Sequence, residues 1–293
     1  MNSLIIVDII RPKSIFWFTI CTCLGFSAVI LQEIPEPNIV LLILSISLNN
    51  ICAILINDIG DIKIDRLSGE AEKRSRPIAS GRISIKEAWI IALIFFISSL
   101  FTAWLYSIQA TAFSLIVFIF SLSYSLPPTR FCERKIWSIL FWVILIIVCY
   151  LMMFFTLKGY LVFHLPSILF TIGTILFMGI GEIISIDLRD YKNDLEGGRK
   201  TFVGVVKNSQ ASTLMTVSTW FGGGFIVSSI VLSESISLLC YAYYLIVLFW
   251  CIYVTQIAKK ISIHYDQTMA KSLHENWTWI YALMQIMVFL SFL

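Results

Sequence analysis

The sequence predicts an all-α, polytopic membrane protein with nine transmembrane helices. Three observations predict it. Of 293 residues, 58% are hydrophobic and only 13% charged, with a mean hydropathy of +0.88, whereas a soluble globular domain carries roughly 25% charged residues. The apolar residues gather into charge-free runs close to the roughly 20 residues that one bilayer crossing needs. The basic residues, finally, lie almost wholly in alternate connections between those runs. This composition excludes an ordinary soluble protein, a disordered tail, a collagen-like chain and a small disulfide scaffold.

The runs justify the helices in order. Residues 14–32 and 39–56 form the first two. Residues 88–129 are one charge-free stretch, too long for a single crossing and split at Ser107-Ile108-Gln109 into 88–106 and 109–126. Ser84 and Glu87 form an S-x-x-E capping box that opens the third helix. Runs 136–157 and 160–181 follow, then 210–232 and 236–257, divided at Ser233-Glu234-Ser235, and last 276–293. The seven cysteines (21, 23, 52, 132, 149, 240 and 251) are odd in number and mostly inside apolar runs, which reads as buried reduced thiols. No signal peptide is evident, because no small-residue cleavage site follows the first apolar run.

Charge sets the orientation. Of 21 Lys and Arg residues, 20 lie in the N-terminus and the even-numbered connections (2, 7, 3, 5 and 3 in order), and only Lys158 lies in an odd-numbered one. The positive-inside rule makes the basic side cytoplasmic. The expectation is an integral multi-pass protein, in the plasma membrane if bacterial, with its N-terminus inside and its C-terminus outside. Its surroundings are membrane lipid, and nothing points to nucleic acid.

Two cytoplasmic connections carry the chemistry. The second contains Asn57, Asp58, Asp61 and Asp65, and the sixth contains Asp187, Asp190 and Asp194. Each reads D-x-x-D-x-x-x-D, and all three aspartate pairs are offset by 129 positions, as are Gly69 and Gly198. The chain therefore reads as one domain, 1–293, of two pseudo-repeats, about 1–135 and 136–293. Spacings of three and four residues put each triplet on one helix face. Three like charges so placed repel, so something cationic is expected against them. Six carboxylates and the Asn57 amide oxygen, facing one cavity, suit a hard cation such as Mg²⁺. Neighbouring Lys63, Arg66, Arg74, Arg76, Arg199 and Lys200 suit an anion such as a diphosphate.

With these residues in view, the sequence resembles the UbiA superfamily of intramembrane prenyltransferases. The family's N-D-x-x-D-x-x-x-D signature matches Asn57, Asp58, Asp61 and Asp65, and its second acidic motif matches Asp190 and Asp194 with Asp187. Supporting runs are Arg76 to Gly81, Tyr124-Ser125-Leu126-Pro127-Pro128-Thr129-Arg130, and the opening Arg11-Pro12. The resemblance implies nine helices around a central cavity open to the cytoplasmic side. It implies two Mg²⁺ ions, held by Asn57, Asp61 and Asp65 and by Asp190 and Asp194, with Asp58 and Asp187 supporting them. Asp61, Asp65, Asp190 and Asp194 would be the catalytic core. The ions would grip the diphosphate of an isoprenoid donor, contacted also by Arg66, Arg74, Arg76, Tyr124, Arg130 and Lys200. Relatives often carry a Lys where this chain has Cys132; Arg134 or Lys135 could substitute.

The implied reaction is prenyl transfer from the diphosphate to an acceptor, with an aromatic acceptor expected. Candidates for the acceptor site are Asn50, on the face of Asn57, and Glu182, as a base; the alternative for Asn50 is an interhelical hydrogen bond. Two other readings are a terpene cyclase of the same fold and a cation or solute transporter. Transporters place ionisable groups near the bilayer midplane, whereas the nine expected spans are charge-free, which counts against transport.

Overall fold

The computed structural model describes residues 3–33, 35–133, 136–160, 164–196, 198, 201–233 and 238–292. Its regular elements are all helices. Among the described residues, seven are long and apolar enough to cross a membrane: Ile39–Leu67, Ile85–Tyr106, Ile108–Ser125, Ile136–Lys158, Leu165–Glu196, Asn208–Leu232 and Cys240–Ile263. The expected count of nine is corrected at its two ends. The run 14–32 divides into a π-helical segment, Ile15–Ile20, and an 11-residue helix, Cys21–Leu31. At 1.5 Å per residue the latter spans about 16 Å, roughly half a hydrocarbon core. The run 276–293 is the latter part of the helix Gln267–Leu290, whose Lys271, His274, Glu275 and Asn276 dilute its hydropathy.

Local chemistry explains the helix ends. Ser84 accepts from the backbone N–H of Glu87 while the Glu87 side chain takes the N–H of Ser84, so the predicted capping box is present. Replacing Ser84 with alanine is expected to cost about 1 kcal/mol, read as a lower melting temperature with turnover unchanged. Ser107 ends one helix and caps the next through the N–H of Ala110, which makes the tight turn at which the long apolar stretch was divided. Asp266 caps Gln267–Leu290 through the N–H groups of Thr268 and Met269.

The contacts resolve two compact units. The first comprises Met1–Ile20, Glu36–Cys132 and Glu196–Gly198. Its spine is Ile39–Leu67, which packs on Ile85–Tyr106 and Ile108–Ser125. Buried small residues allow the close approach: Ser45 Oγ lies 3.2 Å from Ser99 Oγ and 2.9 Å from Ser114 Oγ. Asn49 donates to the Ser114 carbonyl at 2.8 Å. Interhelical polar contacts of this kind hold spans together where lipid provides no hydrophobic drive. Trp89, Leu93, Ile97, Phe101 and Trp104 form an exposed row along Ile85–Tyr106, the apolar face that lipid covers in a multi-pass protein.

The second unit comprises Cys21–Pro35, Glu133–Leu195 and Arg199–Leu293. Here Leu165–Glu196 crosses Asn208–Leu232 at a pair of glycines. A Cβ on Gly173 would lie 2.8 Å from the Gly222 carbonyl oxygen, and one on Gly222 would lie 2.9 Å from that of Gly173. Only hydrogen fits at that crossing. Between Ile175 and Glu182 the helix widens to π-helical turns, a local form that often accompanies functional sites. Phe177, Trp277 and Tyr281 pack together beside it. All seven cysteines are free, and six of them are buried.

Candidate active site

Both acidic motifs continue the helices that carry them. The expected spans 39–56 and 160–181 stop short of the motifs, whereas the helices run on to Leu67 and Glu196. These end points differ by 129 residues (196 − 67), the same offset that relates the aspartates. Each triplet thus occupies the last turns of a long apolar helix. Asp58, Asp61, Asp65, Asp187, Asp190 and Asp194 are all buried, at 8% exposure or less.

Guanidinium groups cover the first triplet. Arg76 Nη1 lies 2.8 Å from Asp65 Oδ2 and 3.3 Å from Asp58 Oδ1. Arg11, at φ 48° between two helical segments, donates to the other oxygen of Asp58. Arg130 reaches Asp61 Oδ1 at 3.1 Å and the Gly60 carbonyl at 2.8 Å. Burial lowers the pKa of Arg76, but Asp58 and Asp65 outweigh it and raise the pKa overall, so the guanidinium stays charged. The Asn57 amide donates to Asp61 Oδ2 at 3.3 Å and accepts from Ser125 Oγ at 3.4 Å. That last contact depends on Gly60, because a Cβ there would stand 2.5 Å from the Ser125 carbonyl oxygen.

The remaining expected residues of this unit fall in different places. Tyr124 is half-buried in the last turn of Ile108–Ser125, next to Ser125. Arg66 and Arg74 are exposed and hold the connecting loop, donating to the carbonyls of Ala79 and Ser68. Asn50 donates to Thr19 Oγ1 at 2.7 Å, the interhelical bond that was one of its two readings. Cys132 is buried in a short 3₁₀ turn, while Arg134 and Lys135, its suggested substitutes, lie outside the described residues.

The second triplet is held differently. Asp187 Oδ2 accepts from the Phe202 N–H at 3.1 Å and so ties down the chain that follows the motif. Arg189 donates through Nε and Nη2 to the two oxygens of Asp190 at 2.8 and 2.7 Å. Tyr265 donates to the Leu188 carbonyl at 2.8 Å and meets Tyr191 edge-on. Glu182 is buried two turns before Asp190. Lys200 and Arg199 lie outside the described residues.

Sequence reasoning picked out Arg76 and Arg130 but missed Arg11 and Arg189 as partners of the acids. The Arg11-Pro12 pair was noted only as a family likeness. Arg189 had a positional signal, since it sits inside the D-L-R-D run.

The donors suit a hard divalent cation: they are oxygens, buried, and grouped in threes. Among the described residues, no three acidic, imidazole or thiol groups converge at metal-binding distance. The arginines stand on the carboxylates instead. They supply the cationic balance that the triplets require, and they would turn to an anion once a metal took the acids.

Comparison with known proteins agrees with this architecture. Among curated proteins none matches the sequence. A solved UbiA homologue from Archaeoglobus fulgidus, bound to GPP and Mg²⁺, superposes with a TM-score of 0.71 at 18% identity over 98% of each chain. A structure of digeranylgeranylglyceryl phosphate synthase gives a TM-score of 0.67 at 17% identity, covering 99% of this chain and 98% of that one. A UbiA homologue from Aeropyrum pernix K1 gives 0.68 at 14% identity, over 94% and 97%. These likenesses establish the fold. The sequence profile of the UbiA prenyltransferase family matches residues 16–292, and the chain belongs to that family.

Proposed function

We propose that this protein is a Mg²⁺-dependent prenyltransferase that moves a prenyl group from an isoprenoid diphosphate to a small acceptor, aromatic in class. The observation that carries the reading is the pair of buried aspartate triplets at equivalent helix ends, each covered by arginine. The similar Archaeoglobus fulgidus protein binds GPP or DMAPP with Mg²⁺, which supports the same chemistry here.

Asn57, Asp61 and Asp65 would hold one ion and Asp190 and Asp194 the other. Asp58 would position Arg11 and Arg76, and Asp187 would anchor the chain around Phe202. Bound Mg²⁺ supplies positive charge that stabilises the departing diphosphate. Arg76 and Arg130, released from the carboxylates, would face diphosphate oxygens, with Tyr124 alongside Arg130. Arg66 and Arg74 would act by shaping the loop that presents Arg76. Apolar helices around the prenyl chain keep water from the allylic cation until the acceptor attacks. With the positive-inside rule, the acidic helix ends lie on the cytoplasmic side.

A mass-spectrometric product screen tests this reading, with membranes incubated with prenyl diphosphates of several lengths and a panel of aromatic acceptors. A prenylated acceptor formed only with Mg²⁺ is expected. A cyclised product formed without any acceptor would replace transfer with cyclisation, and absence of any Mg²⁺-dependent product would defeat both.

A further inference from the structure

The second acidic helix end carries its charge where a helix tolerates it least. Asp187, Asp190 and Asp194 occupy the last turns of Leu165–Glu196, at the negative end of the helix dipole, which disfavours carboxylates. Like charges three and four residues apart also repel one another. The acids keep one arrangement only if other segments hold these turns. The Arg189–Asp190 pair joins neighbours within a single turn, so it does not itself tie the helix to another segment.

Tyr265 does. It stands in the connection between Cys240–Ile263 and Gln267–Leu290, one residue before the cap Asp266. Its hydroxyl donates to the Leu188 carbonyl at 2.8 Å, and its ring meets that of Tyr191 edge-on, with 5.2 Å between centroids. A carbonyl oxygen has two lone pairs, so one within a helix can accept this second donor. Leu188 and Tyr191 lie on either side of Asp190 in the sequence, and one side chain thus grips both ends of the turn that carries it. One turn earlier, His274 Nδ1 of Gln267–Leu290 lies 3.3 Å from Ser185 Oγ. By helical periodicity Ser185, Leu188 and Tyr191 form one row, about 130° round the helix from the mean direction of the three acids. The grip is on the back of the acidic helix end.

We propose that Tyr265 is a positioning residue for the second metal centre: it fixes the roll of the acidic helix end, and with it the direction of Asp190 and Asp194. The proposal rests on the reading of those aspartates as metal ligands. It acts through a backbone carbonyl and a neighbouring ring, so it changes no charge and moves no proton.

Mn²⁺ binding to the purified full-length protein in detergent, followed by electron paramagnetic resonance, tests one site at a time. With the first site disabled by Asp61→Ala, Tyr265→Phe loses only the hydroxyl. It is expected to weaken the remaining Mn²⁺ site by about 2- to 10-fold, the scale of one net hydrogen bond. Tyr265→Ala loses both contacts and is expected to weaken that site by about tenfold or more, as removal of groups supporting metal ligands does. With the second site disabled instead by Asp194→Ala, Tyr265→Phe is expected to leave the remaining site unchanged. Thr255→Val is the control for a purely structural loss. It removes the bond that Trp220 Nε1 makes to Thr255 Oγ1 at 2.9 Å in the same unit, and is expected to lower the melting temperature without moving Mn²⁺ affinity. Unchanged affinity in the Tyr265 variants, equal weakening of both sites, or an equal loss in Thr255→Val overturns the proposal. Where Tyr265→Ala fails to fold, Tyr265→Phe decides alone. If neither Asp61→Ala nor Asp194→Ala alters Mn²⁺ binding, the metal reading fails and the proposal falls with it; if they do and Tyr265→Phe does not, only the positioning role fails.

Discussion

Replacing Asp61 or Asp194 with alanine is expected to reduce prenyl transfer by roughly 10²–10³-fold, at least the loss caused by removing a single donor to a developing anion. The two positions come from different repeats: at the 129-residue offset Asp61 is the counterpart of Asp190, and Asp194 that of Asp65. Each removes one carboxylate from a triplet, and Asp61→Ala also leaves the Arg130 guanidinium able to turn to the diphosphate. The expected signature is therefore loss of turnover with donor binding only partly impaired, measured with labelled prenyl diphosphate at matched expression. Wild-type turnover in either variant would sink the proposed metal sites.

Gly60→Ala carries the second large effect, and it acts through packing. The added Cβ would stand 2.5 Å from the Ser125 carbonyl oxygen and 3.4 Å from its carbon, both backbone atoms. Neither atom can rotate away, so the end of Ile108–Ser125 must move off Ile39–Leu67. Overpacking of this kind costs about 1–3 kcal/mol. The functional cost is expected to be larger, because the same displacement pulls Ser125 from Asn57 and Arg130 from the Gly60 carbonyl and Asp61. Gly224→Ala is the control: it is also helical, but nothing lies within 4 Å of its Cβ position. There alanine is expected to be neutral or stabilising by about 0.5–1 kcal/mol. Equal activity in Gly60→Ala and Gly224→Ala would show that the close approach at Ser125 is dispensable.

Much of this arrangement is legible in the sequence, for identifiable reasons. Charge-free runs mark the spans because lipid tolerates little else, and the aspartate spacing places each triplet on one face because helical geometry leaves no alternative. The capping box at Ser84 is local, so four residues suffice to specify it. Other features depend on tertiary placement. The basic residues of the second connection look alike in sequence, yet Arg76 faces the acids while Arg66 and Arg74 hold loop carbonyls. The fold of the loop decides which arginine points inward, and composition does not encode that.

The helix ends are similarly hidden. A search for charge-free runs stops at the first acidic residue, so it cannot see that Ile39–Leu67 and Leu165–Glu196 carry their acids in continuous helix. The same search counts 14–32 as one span because a π-helical segment leaves the composition unchanged. Asn50 shows the converse limit. Its register with Asn57 was correct, but its amide is taken by Thr19, a neighbour that no one-helix pattern contains.

The central claim is that divalent metal, held by the two aspartate triplets, is what makes the diphosphate a leaving group. The most direct measurement is diphosphate release from a labelled prenyl donor by the purified protein with an accepted acceptor, titrated with Mg²⁺ and then with EDTA. Release that rises saturably with Mg²⁺, stops on chelation and is absent from Asp61→Ala and Asp194→Ala is the predicted result. Release that persists in EDTA, or that survives both substitutions, would contradict it.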